Sequence, residues 1–219
     1  MDVREAVIKA NVVKLQQLLD AGVNLDAKDE DERTPLHWAA GNGSVDVVEY
    51  LVEHAKARVN VQDDAGWTPL MSAASAGHSD VVSFLLSRGA DANVPNENDQ
   101  LPLHYHKGRQ QIAELLLDYT KDINHADHLG NTPLMRALGG SPSREVIALL
   151  IDHGARLSAK DKAGNTALHL ALMEGYEDIA RYLIDNGADP MAKNRENVRC
   201  LDLARPAFRA EMQTLKPAK

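Results

Sequence analysis

Nine histidines and one cysteine are the residues of this 219-residue chain best suited to hold a metal or attack a substrate. Their spacing argues against both. His125, Asp127 and His128 make one dense ligand-like cluster, His-Ala-Asp-His, but no further Cys or His follows at ligand spacing and the stretch reads as a turn. No serine stands in a Gly-x-Ser-x-Gly elbow, and Cys200 reads as a buried apolar residue. Gly139-Gly140 has no Lys-Ser or Lys-Thr behind it, so it reads as a loop and not as a phosphate cradle. The chain is therefore expected to be no enzyme, with no catalytic residue, metal or cofactor, and a binding surface is what remains.

Composition narrows the partner of such a surface. The net charge of -8 argues against nucleic acid, whose recognition rests on clustered Lys and Arg. No run approaches the ~20 apolar residues of a membrane-spanning helix, so no membrane partner is expected. A single cysteine makes no internal disulfide, and the N-terminal stretch lacks the apolar core of a signal peptide. These features point to the cytoplasm; the nucleus stays open, because no basic block offers an import signal.

The elements that position this surface repeat. Tripeptide anchors begin at Thr34, Thr68, Leu101, Thr132, Thr166 and Arg199, with spacings of 34, 33, 31, 34 and 33 residues. Aligning Lys14 to Leu18 with Val47 to Leu51 adds an earlier, divergent repeat, which makes seven. In the unit that begins at Thr34, that residue caps a short first helix whose first position is Pro35, where a missing N–H costs nothing. Leu36, Ala39 and Ala40 give that helix a narrow apolar stripe, and Gly43 ends it in a left-handed turn. Val47, Val48, Leu51 and Val52 then mark a second helix, whose wet side carries Asp46, Glu49 and Glu53. Gly22, Gly89, Gly154 and Gly187 close other second helices. The fourth repeat is two residues short and should have a clipped first helix or a tightened turn around Gly108. The fifth gains one residue in Gly139-Gly140-Ser141-Pro142, with Ser141 as cap and Pro142 as first position of the next helix.

A two-helix unit of about 33 residues carrying Thr34-Pro35-Leu36-His37, Leu101-Pro102-Leu103-His104 and Thr166-Ala167-Leu168-His169 resembles the ankyrin repeat. The resemblance implies an all-α solenoid of seven helix-turn-helix repeats with short β-turn tips and a concave binding face. One domain would cover 1–215, with repeats at about 1–31 and 195–215 as caps and 216–219 as a short tail. It also implies that His37, His104 and His169 bridge backbone groups of neighbouring turns, while His78 holds a Gly-His turn position.

In such a stack the tips and the outward residues of first helices face the partner. The candidate contact residues are Glu30, Asp31, Arg33, Trp38, Asp64, Trp67, Ser72, Ser75, Tyr105, Arg136, Lys162, Met173, Glu174 and Arg195. Formal charge is -2 on each of the first three tips, -1 on the fourth, +1 on the fifth and +2 on the sixth. Either these charges only keep the face solvated, or they form a dipolar groove whose partner carries basic groups opposite the first tips.

Asp29 to Ala40, reading DEDERTPLHWAA, and Gln62 to Gly77 with Asp80-Val81-Val82 further resemble repeats of the gankyrin family. These are ankyrin proteins that act as chaperones for assembly of the proteasome regulatory particle. The resemblance implies a chain, monomeric by itself, that holds the C-terminal domain of a proteasomal ATPase subunit, with Arg33, Trp38, Asp64 and Trp67 on matching positions. Leu170-Ala171-Leu172-Met173-Glu174 has Leu172 where that family's retinoblastoma-binding motif has Cys, so that motif is incomplete. A signalling adaptor or kinase inhibitor, and a regulatory subunit of an enzyme, are the alternatives.

Overall fold

The computed structural model describes residues 2–106 and 108–214. The expected tail at 216–219 lies outside the described residues. Helix pairs follow in order: α1 (Val3–Ile8) with α2 (Val12–Asp20), α3 (Pro35–Asn42) with α4 (Val45–Glu53), and α5 (Pro69–Ala76) with α6 (Ser79–Ser87). A 3₁₀ turn at Pro102–Tyr105 precedes α7 (Gln110–Leu117). Next come α8 (Pro133–Arg136) with α9 (Arg144–Asp152), α10 (Ala167–Met173) with α11 (Glu177–Asp185), and a 3₁₀ turn at Cys200–Leu203 before α12 (Pro206–Thr214). Among the described residues the only β pairing outside helices and turns is the isolated bridge Lys193 to Arg199. The chain divides into two compact units, Met1–Asp122 and Ile123–Lys219.

Within the first unit, α3 lies between α1 and α5, and α5 in turn packs on the 3₁₀ turn. Alanine makes this closeness possible: Ala39, Ala40, Ala73 and Ala74 are fully buried where the first helices meet. The second helices pack through Val47, Val48 and Leu51, then Val81, Val82 and Leu85, all fully buried. The second unit repeats the scheme around Leu134, Val146, Ile147, Leu168, Ala171, Ala180 and Leu183. Its last helix docks with Phe208 and Met212, which are 3% and 7% exposed.

The irregular repeats have the form their lengths require. Two missing residues leave the fourth first helix as a single 3₁₀ turn, with Gly108 at a φ of +70° closing the connection. In the fifth repeat α8 is also one turn long. The helix that follows does not begin at Pro142. Ser143 caps it, accepting the Val146 N–H at 3.3 Å, and Arg144 is its first residue. The extra residue therefore lengthens the loop, leaving Ser141 and Pro142 outside the helix.

Candidate functional site

Each tip is built around one Asp or Asn that turns its side chain inward. Oδ1 of Asp29 accepts the N–H groups of Asp31 and Arg33 at 3.1 and 2.9 Å, and Oδ1 of Asp63 those of Ala65 and Trp67 at 3.1 and 2.7 Å. Asn96, Asp127 and Asn194 do the same in their own tips, and Asp161 accepts from Asn165. Such Asx turns satisfy backbone donors that no helix reaches. Successive tips within each unit are then tied by one backbone bond. Asp64 N–H donates to the Asp31 carbonyl at 3.2 Å and Glu97 N–H to Ala65 at 3.1 Å; in the second unit Lys162 donates to Leu129 at 2.8 Å and Arg195 to Ala163 at 3.0 Å. The approach is close enough that a Cβ on Gly66, whose φ is +75°, would lie 2.8 Å from the Glu97 nitrogen.

The charge sums of the tips need correcting in this light. The Asp63 and Asp127 side chains are only 7% and 2% exposed, because their oxygens serve the turn. Asp127 is thus the centre of a tip, and no group of three potential metal ligands occurs among the described residues. The acidic residues that do face solvent at the first two tips are Glu30, Asp31, Glu32 and Asp64, of which Glu32 is paired with Lys28 at 2.6 Å.

Histidine locks the tips to the helices. The Thr34 N–H donates to Nδ1 of His37 at 3.1 Å, so Nδ1 carries no proton and Nε2–H donates to the Trp67 carbonyl at 2.9 Å. His169 repeats this between Thr166 and the Val198 carbonyl, at 3.1 and 3.2 Å. Burial is the main reason that both imidazoles titrate below the ordinary histidine value. In the unfolded chain a histidine takes up its proton near pH 6.5, whereas the fold refuses it until lower pH. Stability should therefore be present above about pH 6.5 and fall as the pH drops through the window below it. Urea melts between pH 7.5 and 5 check this; a midpoint that stays flat over that range overturns it.

In the first unit these tips and helices form an open groove of about 570 Å³ lined by Asp31, Arg33, Asp63, Asp64, Trp67, Ser72 and Ser75, with Gly41, Ala65 and Ala76 as its remaining wall. Arg33 runs along it. A terminal nitrogen donates to Ser72 Oγ at 3.2 Å, Nε lies 3.8 Å from Asp63 Oδ2, and the guanidinium sits 4.3 Å over the Trp38 ring. Ser72 is consequently 5% exposed and meets Arg33, not solvent, which removes it from the directly accessible positions. Trp38 is also engaged: Arg4 lies 4.1 Å over its ring and its Nε1–H donates to Asp29 Oδ2 at 2.9 Å. Burial pushes the Asp29 carboxyl up, but that bond and the N–H groups of Arg33 and Asp31 outweigh it, and the net shift is downward. Trp67 packs on Tyr105 with ring centroids 4.6 Å apart, and the Tyr105 hydroxyl accepts from Asn96 Nδ2 at 2.9 Å.

The remaining candidates belong to the second unit. Arg136, Lys162, Glu174 and Arg195 are exposed, and Arg136 Nε lies 3.8 Å from Asp127 Oδ2. Met173 is 58% exposed. Leu129, at a tip and 62% exposed, is an outward apolar side chain absent from the candidate positions, although its place two residues after Asp127 matches Asp31 after Asp29. Cys200 is buried with its Sγ 3.0 Å from His169 Nδ1, and burial pushes its thiol up to about 11, so it stays protonated and inert.

A family model described as ankyrin repeats (3 copies) matches residues 5–96, 86–161 and 103–194. The chain belongs to the ankyrin-repeat family. Its repeats are similar to those of the crystal structure of the human ASB11 ankyrin repeat domain, with a TM-score of 0.85 at 27% identity over 100% of both chains. Protein phosphatase 1 regulatory subunit 27 of Homo sapiens is 41% identical over 58% of this chain and 83% of that protein. The 26S proteasome non-ATPase regulatory subunit 10 of Dictyostelium discoideum is 43% identical over 28% of this chain and 27% of that protein. Several longer relatives are matched over only about a fifth to a third of their own length. Ankyrin repeats are protein-interaction modules, so this chain is a protein-binding scaffold. No helix among the described residues is long and apolar enough to cross a membrane.

Proposed function

We propose that this ankyrin scaffold is a non-catalytic chaperone for assembly of the proteasome regulatory particle, holding the C-terminal domain of an ATPase-ring subunit and acting in the cytoplasm or the nucleus. The observation that carries the reading is the groove of the first unit. Its walls, Gly41 apart, come from the two stretches, Asp29 to Ala40 and Gln62 to Gly77, whose sequence is most similar to that chaperone family. The Dictyostelium relative supports the same direction. The bound domain would be kept from premature contacts and released when later subunits compete for its surface.

A regulatory subunit of a phosphatase is the second reading, supported by the longer alignment with the phosphatase 1 subunit. Affinity purification of the chain from its own cells, followed by mass spectrometry, separates the two. Recovery of an ATPase-ring subunit that is lost with Trp67→Ala supports the chaperone. Recovery of a phosphatase catalytic subunit in its place overturns it.

The exposed acids set the approach of the partner. An exposed ion pair is worth only about 0 to 1 kcal/mol, so Glu30, Asp31 and Asp64 contribute more to encounter than to residence. Changing all three to Lys should slow association by about tenfold at low salt and much less at high salt. Stopped-flow association at two ionic strengths measures this, and an unchanged low-salt rate sinks the steering role.

A further inference from the structure

The chain has four places where a Ser or Thr hydroxyl precedes proline: Thr34-Pro35, Thr68-Pro69, Thr132-Pro133 and Ser141-Pro142. The fold treats them differently. Thr34, Thr68 and Thr132 cap first helices and are 0%, 1% and 4% exposed. Oγ1 of Thr68 and of Thr132 accepts the N–H of Met71 and Met135 at 3.3 and 3.4 Å. Ser141 is the exposed one of the four. It sits in the lengthened connection between α8 and α9, outside both helices, behind Gly139 and Gly140, the latter at a φ of +82°.

We propose that Ser141 is a phosphorylation site for a proline-directed protein kinase. Such an enzyme takes its substrate as an extended strand with the hydroxyl reaching the γ-phosphorus of a magnesium-bound nucleoside triphosphate. The residue before a proline is confined to extended backbone, and the glycine pair lets the loop be drawn out without moving a packed helix once the Tyr176 hydroxyl, which donates to the Gly140 carbonyl, lets go. Neighbouring Ser143 shows the contrast. Its hydroxyl donates to Glu145 Oε2 at 2.7 Å while accepting the Val146 N–H, and it is followed by Arg144, not proline.

In the transfer a bond forms between Ser141 Oγ and the γ-phosphorus, and the bond from that phosphorus to the β–γ bridging oxygen breaks. The nucleoside diphosphate leaves, and the hydroxyl proton passes to the kinase's base. The product places a group of about -1.5 to -2 charge beside a cleft of about 800 Å³ whose lining includes Arg144, Tyr176, Glu177, Arg181 and Tyr182. Arg144 there lies 4.7 Å over the Tyr182 ring and is the cation nearest in sequence. Arg181 is already paired with Glu211.

The test is incubation of the folded full chain with a proline-directed kinase and magnesium ATP, with phosphate mapped by mass spectrometry. A synthetic peptide covering residues 136–147 runs in parallel. One phosphate on Ser141, lost in Ser141→Ala and largely lost in Pro142→Ala, supports the assignment, with circular dichroism confirming that both variants are folded. Failure to modify either the chain or the peptide overturns it. So does a modified peptide beside an unmodified chain, incorporation that survives Ser141→Ala, or phosphate on the capping threonines of the folded chain.

Discussion

His37→Ala should destabilise the chain by about 3 kcal/mol, on the order of 10 °C in the thermal midpoint at this length. The ring is fully buried and connects the cap of α3 to the carbonyl of the next tip, through 3.1 and 2.9 Å bonds. Alanine leaves the Thr34 N–H short of a partner, at about 1 to 3 kcal/mol for a group that water cannot reach, while the Trp67 carbonyl keeps only the Asp63 N–H at 2.9 Å. It also opens a cavity beneath the tip. The same variant should show a shallower loss of stability on acidification, because one of the proton-refusing imidazoles is gone. Equilibrium urea unfolding measures both effects. A loss under about 1 kcal/mol, the range of ordinary surface changes, would show that the ring does not hold the tip.

Trp67→Ala is expected to weaken binding of the partner by about 2 kcal/mol, roughly thirtyfold in Kd, with the helical content retained. The indole lines the groove and is half-buried, leaving area for a partner, while its contact with Tyr105 contributes about 1 kcal/mol to the stack. Trp38→Ala should cost binding less. Its ring is already covered by Arg4 and Arg33, and its N–H is held by Asp29. Titration calorimetry against the purified partner, with circular dichroism alongside, decides the matter. Unchanged Kd removes Trp67 from the interface, and lost helicity assigns it to the scaffold.

The fold was legible in the sequence because its signals are local and repeated. Thr-Pro at a helix start, glycine at its end and valines and leucines at helical spacing in the second helix each act over a few residues, and a period of about 33 residues multiplies them. The shortened fourth repeat was legible for the same reason, since two residues cannot be removed from a first helix without losing a turn. The cap of α9 was misplaced because Ser141-Pro142 and Ser143-Arg144 are both acceptable helix starts by local chemistry. Packing of α9 decides between them.

The site was only half legible. Asp31, Arg33, Asp64, Trp67 and Ser75 gather in one groove as their repeat positions imply. What spacing does not reveal is how each side chain is used once it arrives. Ser72 disappears beneath Arg33, Trp38 is enclosed by two guanidinium groups, and Asp63 and Asp127 turn inward to hold their own backbone. These are contacts between residues more than 30 apart, such as Arg33 with Ser72 and Arg4 with Trp38, or choices of rotamer within a tip and the helix behind it.

The inward-turned Asp or Asn separates conservation from innovation. Oδ1 of that one residue closes each tip, while the next two positions, such as Glu30 and Asp31 after Asp29 or His128 and Leu129 after Asp127, stand in solvent. A lineage is then free to exchange partners by rewriting those outward pairs, with selection holding the inward residue constant. Related scaffolds would diverge in what they recognise long before they diverge in shape.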